Sequence, residues 1–391
     1  MLPDYYEFIC PVKVLCGRKA LSNLPYELKQ LGASRPLVIT DQGVVGAKLM
    51  DKVKAAFNDS DIEIAAIFEE TPPDSSNHVV NEVAKLYQQN DCDSFVAVGG
   101  GSVIDTTKGV NVVVSEKTDD LLKFQGVDRI SAAMQPFIAV PTTAGTGSEV
   151  TAAAVISNVD AGHKMALMSN KLYPQVAIVD PAMTMTMPAK ITAATGMDAM
   201  THAVEAYICI QKNPISDAYA SAAIKLMREY LIKAVEDGSN DEARLGMANA
   251  ALLAGISFSN SMVGIVHAMA HACGGVAHVP HGVANSILLP FGMEYNLEKV
   301  PQHISLLAHM LGVEVSGLDE KQKAEKAIEK IRQISEKLNG LCGLATRLRD
   351  AGVREDQLEQ IATVALNDGA LTYNPEEADY DDILKLLKAA Y

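Results

Sequence analysis

The chain has little that would suit it to a membrane, a nucleic acid or a disulfide scaffold. Its 391 residues contain no uninterrupted apolar run long enough to span a bilayer, which would take about eighteen residues or more. Basic residues are outnumbered, with 33 Lys and Arg against 48 Asp and Glu and a net charge of −15. That balance disfavours nucleic acids and anionic membranes, both of which need clustered cations. The six cysteines, at 10, 16, 92, 209, 273 and 342, show no CxxC or CxxH spacing. In a chain of this size they read as reduced thiols of a cytosolic protein. The first residues, Met1 to Glu7, lack a basic stretch leading into an apolar one, so no secretory signal is expected and a cytoplasmic location is. There is no internal repeat and no low-complexity segment, and the usual dinucleotide fingerprint GxGxxG is missing.

What is present is enough apolar content, 48%, to bury more than one core. A chain this long suggests two domains. Its first half alternates short apolar runs, Pro36–Thr40, Ile62–Phe68, Ser94–Val98, Phe137–Val140 and Val176–Val179, with amphipathic stretches such as Asn77–Gln89. Strands alternating with helices predict a parallel α/β sheet with right-handed crossovers. From about residue 186 the texture changes to long Ala-, Met-, Leu- and Lys-rich stretches, among them 213–236, 241–259 and 318–338, with helical periodicity. The break at Pro181–Pro188 therefore divides an α/β domain, 1–185, from an all-helical one, 186–391.

Five of the nine histidines lie between 202 and 281. Asp198 and His202 stand four residues apart, as do His267 and His271, with His278 and His281 just beyond. Residues i and i+4 share one helix face, so both side chains of such a pair can converge on one ion. Any one of these could be an ordinary core histidine, but a core has little use for five nearby imidazoles. Asp198, His202, His267 and His281 read as donors to one divalent metal.

Two glycine-rich segments come next. Gly99-Gly-Gly-Ser102 follows a strand and precedes an apparent helix over Val103–Val113. Glycines there let backbone approach a phosphate, and the helix start supplies free N–H groups. A tight structural turn explains the triple glycine about as well. Pro141-Thr-Thr-Ala-Gly-Thr-Gly-Ser-Glu149 ends another strand with hydroxyls and glycines. Two such loops at the carboxyl ends of neighbouring strands would face one crevice, where open α/β sheets bind nucleotides.

On these motifs the chain resembles the iron-containing (group III) alcohol dehydrogenases. The carriers are Gly99-Gly-Gly-Ser-Val-Ile-Asp105, the 141–149 segment, Gly196-Met-Asp-Ala-Met-Thr-His-Ala-Val-Glu-Ala-Tyr207, His267-Ala-Met-Ala-His271 and Pro280-His-Gly-Val-Ala-Asn285. The resemblance runs from the first strands to the carboxyl terminus. It implies a Rossmann-like NAD-binding domain joined to a helical metal-binding domain, a dehydroquinate synthase-like fold with the active site in the cleft between. The family's metal ligands fall on Asp198, His202, His267 and His281, and the ion is Fe²⁺ or sometimes Zn²⁺. Gly99, Gly100 and Ser102 would hold the pyrophosphate, Thr142, Thr143 and Thr146 would flank adenine and nicotinamide, and Lys164 would reach the ribose. Asp41, at the end of a strand, would accept from a ribose hydroxyl and repel a 2′-phosphate, which favours NAD over NADP; as a bland alternative it is a turn or cap residue. Asp105 could equally be a partner of the helix dipole.

The chemistry so implied is hydride transfer between a short primary alcohol or diol and the nicotinamide, with a divalent ion easing loss of the alcohol proton. His271, outside the family's ligand set, is assigned to proton relay or substrate orientation, or else to steadying His267. His278 is a cleft residue without a fixed role. Phe258 resembles a position lining the substrate pocket, and small residues at 151–154 suggest a pocket that is not blocked. Cys273 is expected to be a buried structural thiol, with proximity to the metal as the alternative. A homodimer is expected by resemblance. The competing readings are a glycerol dehydrogenase-like or dehydroquinate synthase-like enzyme, and a non-catalytic metal- or nucleotide-binding protein.

Overall fold

A computed structural model describes residues 3–159 and 163–391. It divides into two compact units, 9–186 and 187–391, and the amino-terminal residues through Phe8 group with the second. The expected division at 185 had placed those first residues in the α/β domain. Phe8 instead stacks on Tyr219 of the helical unit, with ring centroids 5.7 Å apart.

The α/β unit is built on a six-stranded parallel sheet. Its strands are β1 (Lys13–Cys16), β2 (Pro36–Ile39), β3 (Ala66–Phe68), β4 (Ser94–Gly99), β6 (Phe137–Pro141) and β9 (Val176–Val179), in the order β1-β9-β6-β4-β2-β3. Alternate residues feed different cores. Leu37, Ile39, Phe95, Ala97, Phe137 and Ala139 belong to one cluster. Val38, Val96, Val98, Ile138 and Val140 belong to another. A sheet covered on both faces needs apolar residues at every position, which is why these strands read as continuous apolar runs. The run at 62–68 was expected to be one strand, yet only Ala66–Phe68 pairs with β2. β2 begins at Pro36, whose carbonyl accepts from Ala65 N–H; proline has no N–H with which to extend the ladder.

A second sheet was not expected. β5 (Gly126–Val127), β7 (Ala153–Asn158) and β8 (His163–Met168) form a three-stranded sheet in the order β5-β8-β7. Its buried residues Ala154, Ile156, Met165 and Leu167 join the first core cluster.

The helical unit has its centre in the helix Ala189–Ile208, in which every residue from Gly196 to Ile208 is buried. A helix apolar on all sides belongs inside its domain, so the polar residues it carries there need partners. Around it run the helices Pro214–Glu236, Asp241–Ser259, Ile265–Ala277 and His281–Tyr295, followed by further helices to Tyr380–Ala390. Among the described residues no helix is long and apolar enough to cross a membrane.

Candidate functional site

In the helical unit, the 189–208 helix contributes Asp198 and His202, the 265–277 helix His267, and the 281–295 helix His281. The donor atoms of all four lie within 4.8 Å of one another. Asp198, His202 and His267 are buried and His281 is half-buried. The close approach of the helices depends on Gly282: a Cβ there would stand 2.4 Å from the Ala194 carbonyl oxygen and 3.4 Å from Asp198 Cβ.

Glu205, one turn beyond His202, organises the cluster. Its carboxylate lies 2.5 Å from His267 Nδ1 and accepts the backbone N–H groups of Val266 (2.8 Å) and His267 (3.3 Å). It thus serves the first turn of the 265–277 helix, whose own N-cap, Gly264, has no side chain to offer. Burial pushes the Glu205 carboxyl up to about 7, against the backbone N–H groups that lower it. Burial, and then the neighbouring imidazoles His202, His281 and His271, hold His267 well below the ordinary histidine range. With Nδ1–H given to Glu205, the neutral ring presents the Nε2 lone pair to the cluster. Asp198 is lowered in spite of burial by His202, His281 and His267, so it is a carboxylate.

The donor set fits a cation. Asn285, one turn beyond His281, points its amide nitrogen at Asp198 Oδ1 (2.6 Å), His281 Nε2 (3.1 Å) and His267 Nε2 (3.3 Å). A carboxylate oxygen and two imidazole nitrogens converge on one point, the arrangement a divalent ion would use.

His271 stands outside the four. Its Nδ1 lies 2.8 Å from Asp368 Oδ2, and its ring stacks on His281 with centroids 5.3 Å apart. Phe258, expected to line the substrate pocket, lies flat on His202, centroids 4.2 Å apart and 14° from parallel. His278 ends the 265–277 helix in the left-handed conformation, φ 55°. Cys273 is fully buried, and burial pushes its thiol up to about 12. Glu205, Asn285 and Asp368 were not singled out from the sequence. The signal for the first two was their position: i+3 from His202 and i+4 from His281, on the faces already assigned to metal.

In the α/β unit, the turn Gly99–Gly101 leads from β4 into the helix Gly101–Glu116. That helix starts with neither a side-chain cap nor an acidic residue in its first turn, which leaves N–H groups for an anion. The 141–149 segment lies directly against this turn. Thr142 N–H donates to the Gly99 carbonyl (3.0 Å), and a Cβ on Gly101 would meet Thr146 Cγ2 at 2.9 Å. Gly99, Gly100, Thr142, Thr143 and Thr146 are thus brought together. Ser102 donates its hydroxyl to the Pro73 carbonyl. Asp41 follows β2 and caps the helix Gln42–Gly46, accepting from Val44 N–H at 2.9 Å, so the cap reading of this residue is correct whatever else it binds. Lys164, on β8, pairs with Asp74 at 2.8 Å. Thr151 does not line an open pocket; it is buried and bonded to Lys108.

A parallel sheet with an uncapped helix start, and a helical bundle holding a His₃–carboxylate cluster, are the two working parts of a metal-dependent oxidoreductase. Comparison with known proteins names the class. Residues 11–181 match the model of the iron-containing alcohol dehydrogenases, and residues 192–391 match the carboxyl-terminal model of the same family. The chain is 38% identical to the 1,3-propanediol dehydrogenase of Klebsiella pneumoniae, over 99% of each chain. It is 37% identical to the NAD-dependent methanol dehydrogenase of Bacillus methanolicus, over 98% of this chain and 99% of that one. A crystal structure of 1,3-propanediol oxidoreductase superposes with a TM-score of 0.95 at 38% identity, covering 99% of this chain and all of the other. The chain belongs to the iron-containing alcohol dehydrogenase family.

Proposed function

We propose that this chain is an NAD-linked dehydrogenase that interconverts short primary alcohols or diols with their aldehydes, using one Fe²⁺ or Zn²⁺ held by Asp198, His202, His267 and His281. The observation that carries the reading is the convergence of these four donors, within 4.8 Å of one another, in a chain similar along its whole length to dehydrogenases of methanol and 1,3-propanediol. A divalent ion in this cluster supplies Lewis-acid polarisation of the substrate oxygen. The protein's own groups do the rest. Glu205 fixes the His267 tautomer, and Asn285 orients the Asp198 carboxylate. Asp368 holds His271 Nδ1, which leaves Nε2 to orient the substrate oxygen or exchange its proton. In the α/β unit, the first turn of the 101–116 helix receives the pyrophosphate, Thr142, Thr143 and Thr146 flank the adenine and nicotinamide, and Lys164 reaches the ribose. Asp41 selects NAD over NADP through the ribose hydroxyl.

A dehydroquinate synthase-like reaction is disfavoured, because a phosphorylated sugar acid calls for several cations beside the metal. Side chains seen against the four donors include Glu205, Asn285, Phe258 and His271, and the segments 196–207 and 264–285 that carry the donors hold no lysine or arginine. We also propose a cytoplasmic homodimer; six cysteines scattered without CxxC or CxxH spacing support the location. The test is NADH formation from methanol, ethanol, butanol, 1,2-propanediol and 1,3-propanediol, on metal-stripped protein before and after adding Fe²⁺ or Zn²⁺. Metal-dependent turnover with at least one of them is expected; tight NAD and metal binding with no turnover would point to the lyase-type relatives.

A further inference from the structure

Lys108 has no part in the reading so far, yet it is among the largest fully buried side chains in the molecule. It sits two turns into the 101–116 helix, and its ammonium is surrounded by oxygens of the segment that follows the threonine loop. Nζ lies 2.8 Å from Ser148 O, 3.0 Å from Ser148 Oγ, 3.1 Å from Thr151 O, 3.0 Å from Thr151 Oγ1 and 2.7 Å from Ala153 O. Carbonyl oxygens only accept, and a neutral amine has two N–H groups for three carbonyls, so the group is an ammonium. Asp105, one turn earlier on the same helix, completes the anchor: its carboxylate accepts Ser148 Oγ–H at 2.6 Å and Val155 N–H at 3.0 Å. Burial lowers Lys108 to about 8, a cost that a residue serving packing alone would not need to bear.

Such an arrangement is a poor way to add stability, because desolvating an ion costs as much as its contacts return. It is a good way to hold a loop in one conformation. The segment so tied begins where Thr146 packs on Gly101 and where Thr146 Oγ1 accepts from Ser148 N–H at 3.3 Å. We propose that Lys108 is a positioning residue for the cofactor: its ammonium fixes the 148–153 backbone, and thereby presents Thr142, Thr143 and Thr146 to NAD already in place. This rests on the cofactor reading above.

NADH binding, followed by its fluorescence, tests the proposal in the full-length wild type, Lys108→Met and Lys108→Ala, the last with added methylammonium and, as control, sodium chloride at equal ionic strength. The expected result is a Kd raised about tenfold or more in both variants, ~1.4 kcal/mol. Zinc affinity of the helical unit should change by less than about twofold, well under 1 kcal/mol. Methylammonium, which returns the cation to the vacated space, should recover most of the lost affinity in Lys108→Ala. Amide exchange over 148–155 in the nucleotide-free variants should be faster than in the wild type. Folded variants that bind NADH as tightly as the wild type would overturn the proposal. If neither folds, the double variant Ser148→Ala with Thr151→Val removes two of the five oxygens and keeps the lysine: several-fold weaker NADH binding supports the anchor, and unchanged binding overturns it. Failure of the wild type itself to bind NADH would contradict the cofactor reading instead, while the exchange measurement would still report on the anchor.

Discussion

In the α/β unit, the groups proposed to meet a cofactor are backbone amides and threonine hydroxyls in turns after strands. In the helical unit, the groups offered to a metal are side chains projecting from long, buried helices. The two solutions carry different burdens. A helix fixes its side chains by its own hydrogen-bond ladder, so Asp198 and His202 share one face by register alone, and the carboxylate orientation, ring tautomers and helix spacing remain to be set. Asn285, Glu205 and Gly282 set these. A turn has no such ladder, and its geometry must be imposed from outside, which is the role of Asp105 and Lys108. Alterations to the two units should therefore fail in different ways: helical ones in metal affinity, loop ones in nucleotide affinity.

The sharpest way to break this contrast is His267→Ala, which should abolish metal-dependent turnover while NADH affinity stays near that of the wild type; parallel metal analysis and NADH titration would show it. Glu205→Gln keeps the shape but weakens the acceptor that sets the His267 tautomer, and metal affinity should fall by roughly 10- to 100-fold in a chelator competition. Gly282→Ala forces a methyl group to within 2.4 Å of a carbonyl oxygen. The overpacking should cost about 1–3 kcal/mol, seen as a lower Tm, accompanied by weaker metal binding. Asp41→Gly should leave the metal untouched and weaken NAD by about tenfold relative to NADP, the scale of one charge-assisted hydrogen bond, measured as the ratio of the two Kd values. The smallest effect is expected at the thiols. Burial raises Cys273 and Cys209 to about 12, so a thiol reagent should modify exposed Cys16 and leave both unmodified in the folded protein.

The same contrast explains what could be read from the sequence. The apolar runs of β2, β4, β6 and β9 are each covered on both faces and so stand out, and the helix Asn77–Gln89 is observed with those bounds. Helical register made the proximity of Asp198 to His202 readable, the histidine-rich windows brought in His267 and His281, and the resemblance picked out the same four. What escaped was tertiary. Residues 152–156 and 165–168 are short apolar runs that were not read as strands, because β7 and β8 pair antiparallel with each other, outside the alternation of parallel strand and helix. The Lys108 anchor joins residues some 40 positions apart, which no local pattern reveals. Phe258 was read as a substrate-pocket residue, and that it would lie on His202 depended on how two helices pack.

The most direct test of the central claim is a metal titration of the stripped enzyme, with NADH formation as readout. The account predicts that turnover rises from near zero, saturates at one equivalent of Fe²⁺ or Zn²⁺ per chain, and stays flat in His267→Ala. Turnover that survives complete removal of metal, or a His267→Ala response matching the wild type, would contradict it.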